Sequence, residues 1–289
     1  MSNSTGPRQE HPSTYIVQDR TNEDEMIRLQ LQDKLTTEAM GGALSEQENP
    51  GSFRKVLDVG CGTGGWLIEL AKTYPHISRL IGVDVSDRML NFARAQAAAE
   101  GLAERMEFLM MDALRMLEFP NEHFDLVNQR LGNSYLRSWD WPKLLQEYKR
   151  VAQQYGVIRI TEGDIYIESS SPALTSLFDL VQAAFEAAGY FFTPGSRGVL
   201  NKLGDLLRRH DIHEVQTRAY ILLHRTGTPE GELFIEDMSR LFRTIKPFLQ
   251  KWIRLPDDYE AMYQQMLSEI RRPDFVGKAR VLTAWGYKL

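Results

Sequence analysis

Glycines crowd the stretch that follows a short apolar run. Residues 56–59 are typical of a buried parallel strand, and glycine occupies four of the six positions 60–65. Glycine tolerates positive φ and lets a ligand approach the backbone closely. Residues 66–73 then follow the apolar spacing of a helix. Strand, glycine turn and helix in this order predict a ligand at the helix N-terminus, although the G-x-G-x-x-G spacing alone identifies that ligand only weakly.

A carboxylate stands at the end of the next predicted strand. Residues 79–84 close on Asp84, 24 positions after Gly60. An ionised carboxylate only accepts hydrogen bonds, so Asp84 is suited to bind both hydroxyl groups of a ribose. A capping or solvated role is the alternative, but Ser86 is the better N-cap for the helix predicted over 87–100.

The glycine turn also resembles a known motif. Residues 58–64, Asp-Val-Gly-Cys-Gly-Thr-Gly, look like the first motif of the class I S-adenosylmethionine-dependent methyltransferases. Asp112, at the exit of a strand over 107–113, resembles that family's adenine-binding acid. The segment 15–35 resembles the leading segment of a subgroup that acts on small natural products. A nicotinamide oxidoreductase is the alternative, but it has no matching demand for an acid at position 112; a cofactor-binding regulator without catalysis is the other alternative.

The resemblance implies S-adenosyl-L-methionine as the cofactor, with its methionine part wrapped by the turn. It places Met89 beside the adenine, where plain core packing fits equally well, and Asn128 and Gln129 beside the transferred methyl group. The residues predicted to bind the cofactor are Tyr15, Arg28, Asp58, Gly60, Cys61, Gly62, Asp84, Val85, Met89, Asp112, Ala113, Asn128 and Gln129.

The resemblance implies methyl transfer to an O, N or C nucleophile of a small, apolar or aromatic natural product. In such an in-line displacement the cofactor brings the leaving group, so a strong base is optional. The catalytic candidates are Tyr135, His123, Glu162 and Tyr190. Glu162 and Asp164 also fit solvated loop acids. The histidines show no metal-site spacing, and no metal is predicted.

The elements that must position these residues predict an α/β fold. We expect a Rossmann-like, doubly wound, seven-stranded sheet whose last strand, over 278–289, is antiparallel. Helical insertions are expected at 165–210 and 229–275, with two helices over 229–270. Together with an aromatic loop at 190–195 they are predicted to roof the acceptor pocket; a homodimer interface is the alternative.

A helical segment precedes the domain of residues 51–289. Residues 22–44 are predicted as a helix with Asn22 as its N-cap and with Gly41-Gly42 ending it. Within residues 1–50, the first dozen are expected to be disordered, and the helix is expected either to cover the ligand through Tyr15 or Arg28 or only to pack on the sheet.

Composition limits the classes of protein to which the chain could belong. The chain has 289 residues, 43% hydrophobic and 25% charged, as expected of a globular protein. A net charge of −5 argues against nucleic acid as a partner. A single cysteine, no membrane-length apolar run and no signal-peptide core favour a cytoplasmic protein with a small-molecule substrate. Basic residues at 240–254 are interpreted as a solvated helix face, with an anionic substrate or partner as the alternative.

Overall fold

The computed structural model describes residues 14–17, 22–193 and 198–289. The tail predicted to be disordered therefore lies outside the described residues, as does the end of the aromatic loop beyond Thr193. The strands are β1 (Lys55–Val59), β2 (Arg79–Asp84), β3 (Met106–Met110), β4 (Phe124–Arg130), β5 (Ala152–Gly163), β6 (Glu168–Ser169), β7 (His213–Arg225) and β8 (Val276–Tyr287).

The strands form one twisted sheet in the order β3-β2-β1-β4-β5-β8, and both β7 and the two-residue β6 pair with β8. Strands β1 to β5 pair in parallel, whereas β8 runs antiparallel to both β5 and β7. The predicted fold with an antiparallel last strand is confirmed; the two-residue β6 is additional. Because the chain order reverses between β1 and β4, a crevice opens at the carboxyl ends of these strands.

Helices cover both faces of the sheet. The α-helices are α1 (Glu23–Ala39), α2 (Gly65–Thr73), α3 (Asp87–Ala99), α4 (Trp141–Val151), α5 (Pro172–Ala187), α6 (Leu200–Arg209), α7 (Pro229–Thr244), α8 (Lys246–Trp252) and α9 (Tyr259–Glu269). Helices α2 and α3 bury leucine and alanine against one face, and α4 and α6 cover the other. This two-sided burial explains why the central strands are apolar throughout.

The predicted insertions build a separate helical cap. Helices α5, α7, α8 and α9 turn their apolar side chains into one cluster, which also takes in Leu35 of α1. The expectation of two helices over 229–270 was wrong, because α8 begins at Lys246 with Pro247 in its first turn and Pro256 lies between α8 and α9. Most apolar residues of the cap are buried inside it, which weakens the argument for a homodimer through these helix faces.

The basic residues at 240–254 are not one solvated face. Arg240 and Arg243 of α7 both form ion pairs with Asp24 of α1, and Lys246 of α8 pairs with Glu260. The two ion pairs of Asp24 tie α1 to the cap.

Helix α1 begins as predicted, because the Asn22 side chain accepts a hydrogen bond from the Glu25 amide at 3.3 Å. It ends at Ala39, short of residue 44 and just before the predicted stop at Gly41 and Gly42, which both adopt positive φ. Among the described helices, none has the combination of length and apolarity that a membrane span requires.

Candidate active site

The glycine turn lies between β1 and α2 and is held by the neighbouring strand. The amides of Gly60 and Cys61 both donate to the Val83 carbonyl of β2, at 2.8 and 3.0 Å. Gly60 has φ +71°, and a Cβ added to it would lie 2.6 Å from the hydroxyl oxygen of Tyr135. The turn therefore needs glycine both for its conformation and for the close approach of Tyr135.

Asp84 and Asp112 lie at the carboxyl ends of β2 and β3. The Asp84 carboxylate accepts the Gly62 amide at 3.0 Å and the Ser86 amide at 2.9 Å, so it braces the glycine turn. Ser86 itself caps α3, as predicted. Asp112 accepts the Leu114 amide at 2.9 Å. Both carboxylates line one cavity.

That cavity gathers most of the predicted cofactor residues. Its described lining includes Tyr15, Asp58, Gly60, Cys61, Gly62, Asp84, Val85, Met89, Asp112 and Ala113. They come from three strand ends, the glycine turn, α3 and the N-terminal segment. Their roles toward a ligand stay predictions, but their convergence follows from the shared edge of the parallel strands.

Asn128 and Gln129 do not line the cavity, which corrects their predicted place. Both are fully buried inside β4. Asn128 donates to Asp58 at 2.7 Å and accepts from Arg159 at 2.7 Å. Both faces of a central parallel strand are covered, so the Asn128 and Gln129 amides lie in the packed interior. Arg130 and Leu131, which follow them, line the cavity. Burial raises the pKa of Asp58 to about 7, although the Asn128 hydrogen bond opposes this rise.

Arg28 is likewise turned away from the cavity, contrary to its predicted contact with the cofactor. Its guanidinium forms two hydrogen bonds with Glu25, at 2.7 and 2.8 Å, and reaches Asp237 of α7 at 3.3 Å. Tyr15 also donates to Glu25. Of this buried network, Tyr15 and Glu25 line the cavity, so Arg28 supports the wall from behind.

Tyr135 is the one catalytic candidate that lines the cavity. Its hydroxyl is buried and has no hydrogen-bond partner within the ranges the structure describes. Burial, together with the nearby acids Glu162 and Asp84, raises its pKa well above the ordinary value. Tyr135 therefore stays protonated at neutral pH and can donate or accept one hydrogen bond there.

Glu162 is a buried anchor rather than a solvated acid. Its carboxylate accepts from the Gln129 side chain at 2.7 Å and from the Gly132 and Asn133 amides at 2.9 and 3.1 Å. Burial raises its pKa to about 8, against the effect of these hydrogen bonds. Glu162 thus fixes the short 3₁₀ turn Gly132–Ser134, directly before Tyr135, and does not line the cavity itself.

His123 and Tyr190 also lie away from the cavity. His123 directly precedes β4 at the opposite edge of the sheet, near Lys55 and Arg79 at the amino ends of β1 and β2, so its catalytic assignment is dropped. Tyr190 is packed in the helical cap and donates to the Thr14 carbonyl. It holds the N-terminal segment in place.

The roof of the cavity differs from the predicted one. Neither the described part of the aromatic loop nor α7 to α9 contributes to the lining. The roof instead comes from Thr14, Tyr15 and Val17 and from one side of α1. The Ile16 amide donates to the Ser134 carbonyl at 3.1 Å, which joins this segment to the turn before Tyr135. We call residues 14–17 and α1 the roof.

Two charged lining residues, Asp33 and Arg130, were not among the predicted site residues. Asp33 of α1 forms an ion pair with Arg130, at the end of β4, at 2.8 Å. A Cβ on Gly65 would lie 2.2 Å from the Asp33 carboxylate, so the roof reaches the start of α2. The available signal was position: Arg130 directly follows the predicted fourth strand. No described group of three or more His, Cys, Asp or Glu side chains is arranged to hold a metal ion.

Comparisons with known proteins agree with this site. A family model described as a methyltransferase domain matches residues 56–156. Ajmaline N-methyltransferase of Rauvolfia serpentina is 36% identical over 107 residues, 37% of this chain and 35% of that protein. Demethylmenaquinone methyltransferase of Bacteroides fragilis is 27% identical over 190 residues, 65% of this chain and 66% of that protein.

The fold also matches a solved structure. The YcgJ protein of Bacillus subtilis aligns with a TM-score of 0.50 at 18% identity, over 81% of this chain and 92% of that one. This likeness concerns the fold alone. The chain spans 21% to 66% of the length of the curated relatives it matches. The domain match over residues 56–156, the sheet order and the strand-end acids together identify a class I S-adenosylmethionine-dependent methyltransferase domain within this chain.

Proposed function

We propose that this chain transfers the methyl group of S-adenosylmethionine to an O, N or C nucleophile of a small molecule. One observation carries the proposal: the glycine turn and the acids Asp58, Asp84 and Asp112 line a single cavity across neighbouring strand ends. An adenosine joined to an amino acid needs acceptors for ribose hydroxyls, for the adenine amine and for an ammonium group, and this cavity presents carboxylates for all of them.

The residues fit the cofactor in a defined order. Asp84 would accept from the ribose hydroxyls and Asp112 from the exocyclic amine of adenine. Met89 and Ala113 give the adenine ring apolar contacts, and sulfur is a soft, polarisable neighbour for a ring. Asp58 and the glycine turn would then contact the methionine part.

When bound, the cofactor supplies an activated methyl group on a sulfonium and its own leaving group. The protein's task is to align the acceptor and exclude water, which proximity makes worth roughly 7 to 11 kcal/mol. The roof excludes water from above the cavity. Tyr135, whose hydroxyl lies against the turn at Gly60, can orient the acceptor by one hydrogen bond.

The acceptor we propose is small and apolar or aromatic. The lining beyond the acids includes Val17, Leu29, Leu131 and the ring of Tyr135. Such a wall with few polar groups suits a small organic molecule. Similarity to an ajmaline N-methyltransferase and to a demethylmenaquinone methyltransferase supports this class without naming the acceptor.

Calorimetry with S-adenosylmethionine, S-adenosylhomocysteine and NAD tests the cofactor. We expect the two sulfur ligands to bind and NAD to give no heat. Tight binding of NAD alone would overturn the proposal in favour of an oxidoreductase.

The activity itself is tested with radiolabelled cofactor and a panel of natural-product scaffolds, read by a mass increase of one methyl group. Turnover on any scaffold supports the enzyme. Cofactor binding without transfer to any extract or scaffold would favour a cofactor-binding regulator.

A further inference from the structure

Arg130 lines the cavity and carries buried donors on its guanidinium. Its side chain is only 8% exposed and lines the cavity at the end of β4. Nη1 donates to Asp33 at 2.8 Å and to the Thr37 hydroxyl at 3.0 Å, both on α1. Nε and Nη2 are buried and have no hydrogen-bond partner in the described part of the chain. Buried donors are rarely left unpaired in proteins, so this edge of the guanidinium points to a ligand.

The edge formed by Nε and Nη2 has a defined specificity. Its N–H bonds lie in one plane and run nearly parallel, which matches the two oxygens of a carboxylate. Asp33 and Thr37 hold the other end of the group and restrict its rotation. The guanidinium is therefore preorganised to receive a carboxylate.

A neighbouring acid places a negative group beside the Arg130 guanidinium. Asp58, on the adjacent strand β1, lines the same cavity, and its charge interacts with that of Arg130. A carboxylate and a guanidinium side by side are complementary to the ammonium and carboxylate groups of an α-amino acid. A metabolite with a single charge would leave either the Asp58 carboxylate or the Arg130 guanidinium without an oppositely charged partner on the ligand.

The positions of Asp58 and Arg130 in the sheet indicate which amino-acid group they would bind. Asp112, Asp84, Asp58 and Arg130 lie at or next to the carboxyl ends of β3, β2, β1 and β4, and these strands are consecutive neighbours in the sheet. At a strand separation of about 4.8 Å, these ends span about 14 Å. In the proposed function, adenine and ribose take the first two positions, so the amino-acid end falls at the last two.

We propose that the Nε–Nη2 edge of Arg130 binds the methionine carboxylate of the cofactor, a role that rests on the proposed function. Because Asp33 and Thr37 belong to α1, the same guanidinium links the cofactor's carboxylate to the roof.

The test compares two ligands that differ only in this carboxylate. Calorimetry on the full chain would measure S-adenosylmethionine and decarboxylated S-adenosylmethionine. We expect the parent to prefer the carboxylated ligand. Arg130→Met should weaken that ligand by about ten- to a hundredfold, as expected for charge-assisted hydrogen bonds, and leave the decarboxylated ligand nearly unchanged. Arg130→Lys keeps the charge without the planar fork and should lose part of the preference.

Arg105→Met is the control, since the Arg105 guanidinium bonds backbone carbonyls outside the cavity. It should keep the parent's preference. Equal affinity of the parent for both ligands would overturn the inference, as would an equal loss of both in a folded Arg130→Met or Arg130→Lys variant. If neither ligand binds the parent, the proposed function itself fails.

Discussion

Asp84 combines two duties in one carboxylate. It accepts the amides of Gly62 and Ser86 and still lines the cavity, so it both shapes the turn and faces the ligand. Replacing Asp84 with Ala should lower the affinity for S-adenosylhomocysteine by about ten- to a hundredfold, because each unpaired buried partner costs about 1 to 3 kcal/mol. Calorimetry measures this directly.

Asp87→Ala is the matched control for this change. The Asp87 side chain is 55% exposed and does not line the cavity, so its removal should leave the affinity unchanged. Parent-like binding by a folded Asp84→Ala protein would reduce Asp84 to a brace of the turn.

The Tyr135 hydroxyl is expected to matter for turnover but not for stability. Being buried without a partner among the described residues, it contributes little to folding. Tyr135→Phe should therefore leave the free energy of unfolding unchanged or raise it by about 1 kcal/mol, while turnover falls about tenfold or more. Chemical denaturation and a methyl-transfer assay measure the two effects, with Tyr155→Phe, a tyrosine that is 68% exposed, as control. Unchanged turnover would leave the hydroxyl without a catalytic role.

At the scale of elements, the turn before Tyr135 is pinned by Glu162. Burial raises the pKa of this carboxyl to about 8, so the folded state binds a proton that the unfolded state has released above its pKa of about 4.3. The stability from this proton is fully present below that lower pKa and is lost as the pH rises through about 8. Its size is on the order of a few kcal/mol.

Glu162→Gln should remove this slope. Its free energy of unfolding should fall less between pH 5 and pH 9 than that of the parent, as measured by denaturation at each pH. Glu168→Gln is the control, because Glu168 is exposed and pairs only at the surface with Lys278. Parallel pH profiles for the parent and Glu162→Gln would show that Glu162 stays ionised under its three hydrogen bonds.

Local patterns predicted the elements well and the site in part. The glycine turn and the strand-end acids Asp84 and Asp112 are set by residues close in sequence. The orientation of Asn128 and Gln129 was not readable, because a strand buried on both faces lacks the alternation that marks its sides. The pairing of Arg28 with Asp237 joins residues 209 positions apart, and no local pattern contains it.

At the scale of the whole molecule, the cap, the roof and the sheet meet at the cavity. The roof is joined to the sheet through Arg130 and Asp33 and to α7 of the cap through Arg28 and Asp237. The Arg28–Asp237 pair is buried and the Arg130–Asp33 pair is partly buried, and loss of one partner of such a pair is costly. A ligand that fixes the roof should therefore also steady α7.

Hydrogen exchange tests this coupling. On adding S-adenosylhomocysteine, we expect slower exchange in α1 and, more weakly, in α7. Asp237→Asn should keep the effect in α1 and lose it in α7, because the amide no longer forms the ion pair with Arg28. Glu236→Gln removes the same charge from a half-exposed neighbour that pairs only with Arg240, and it should behave like the parent. Unchanged exchange in α1, with protection at residues 60–65, would make the roof a fixed scaffold. Equal protection of α7 in Asp237→Asn would show that the cap and the roof are coupled by apolar packing instead.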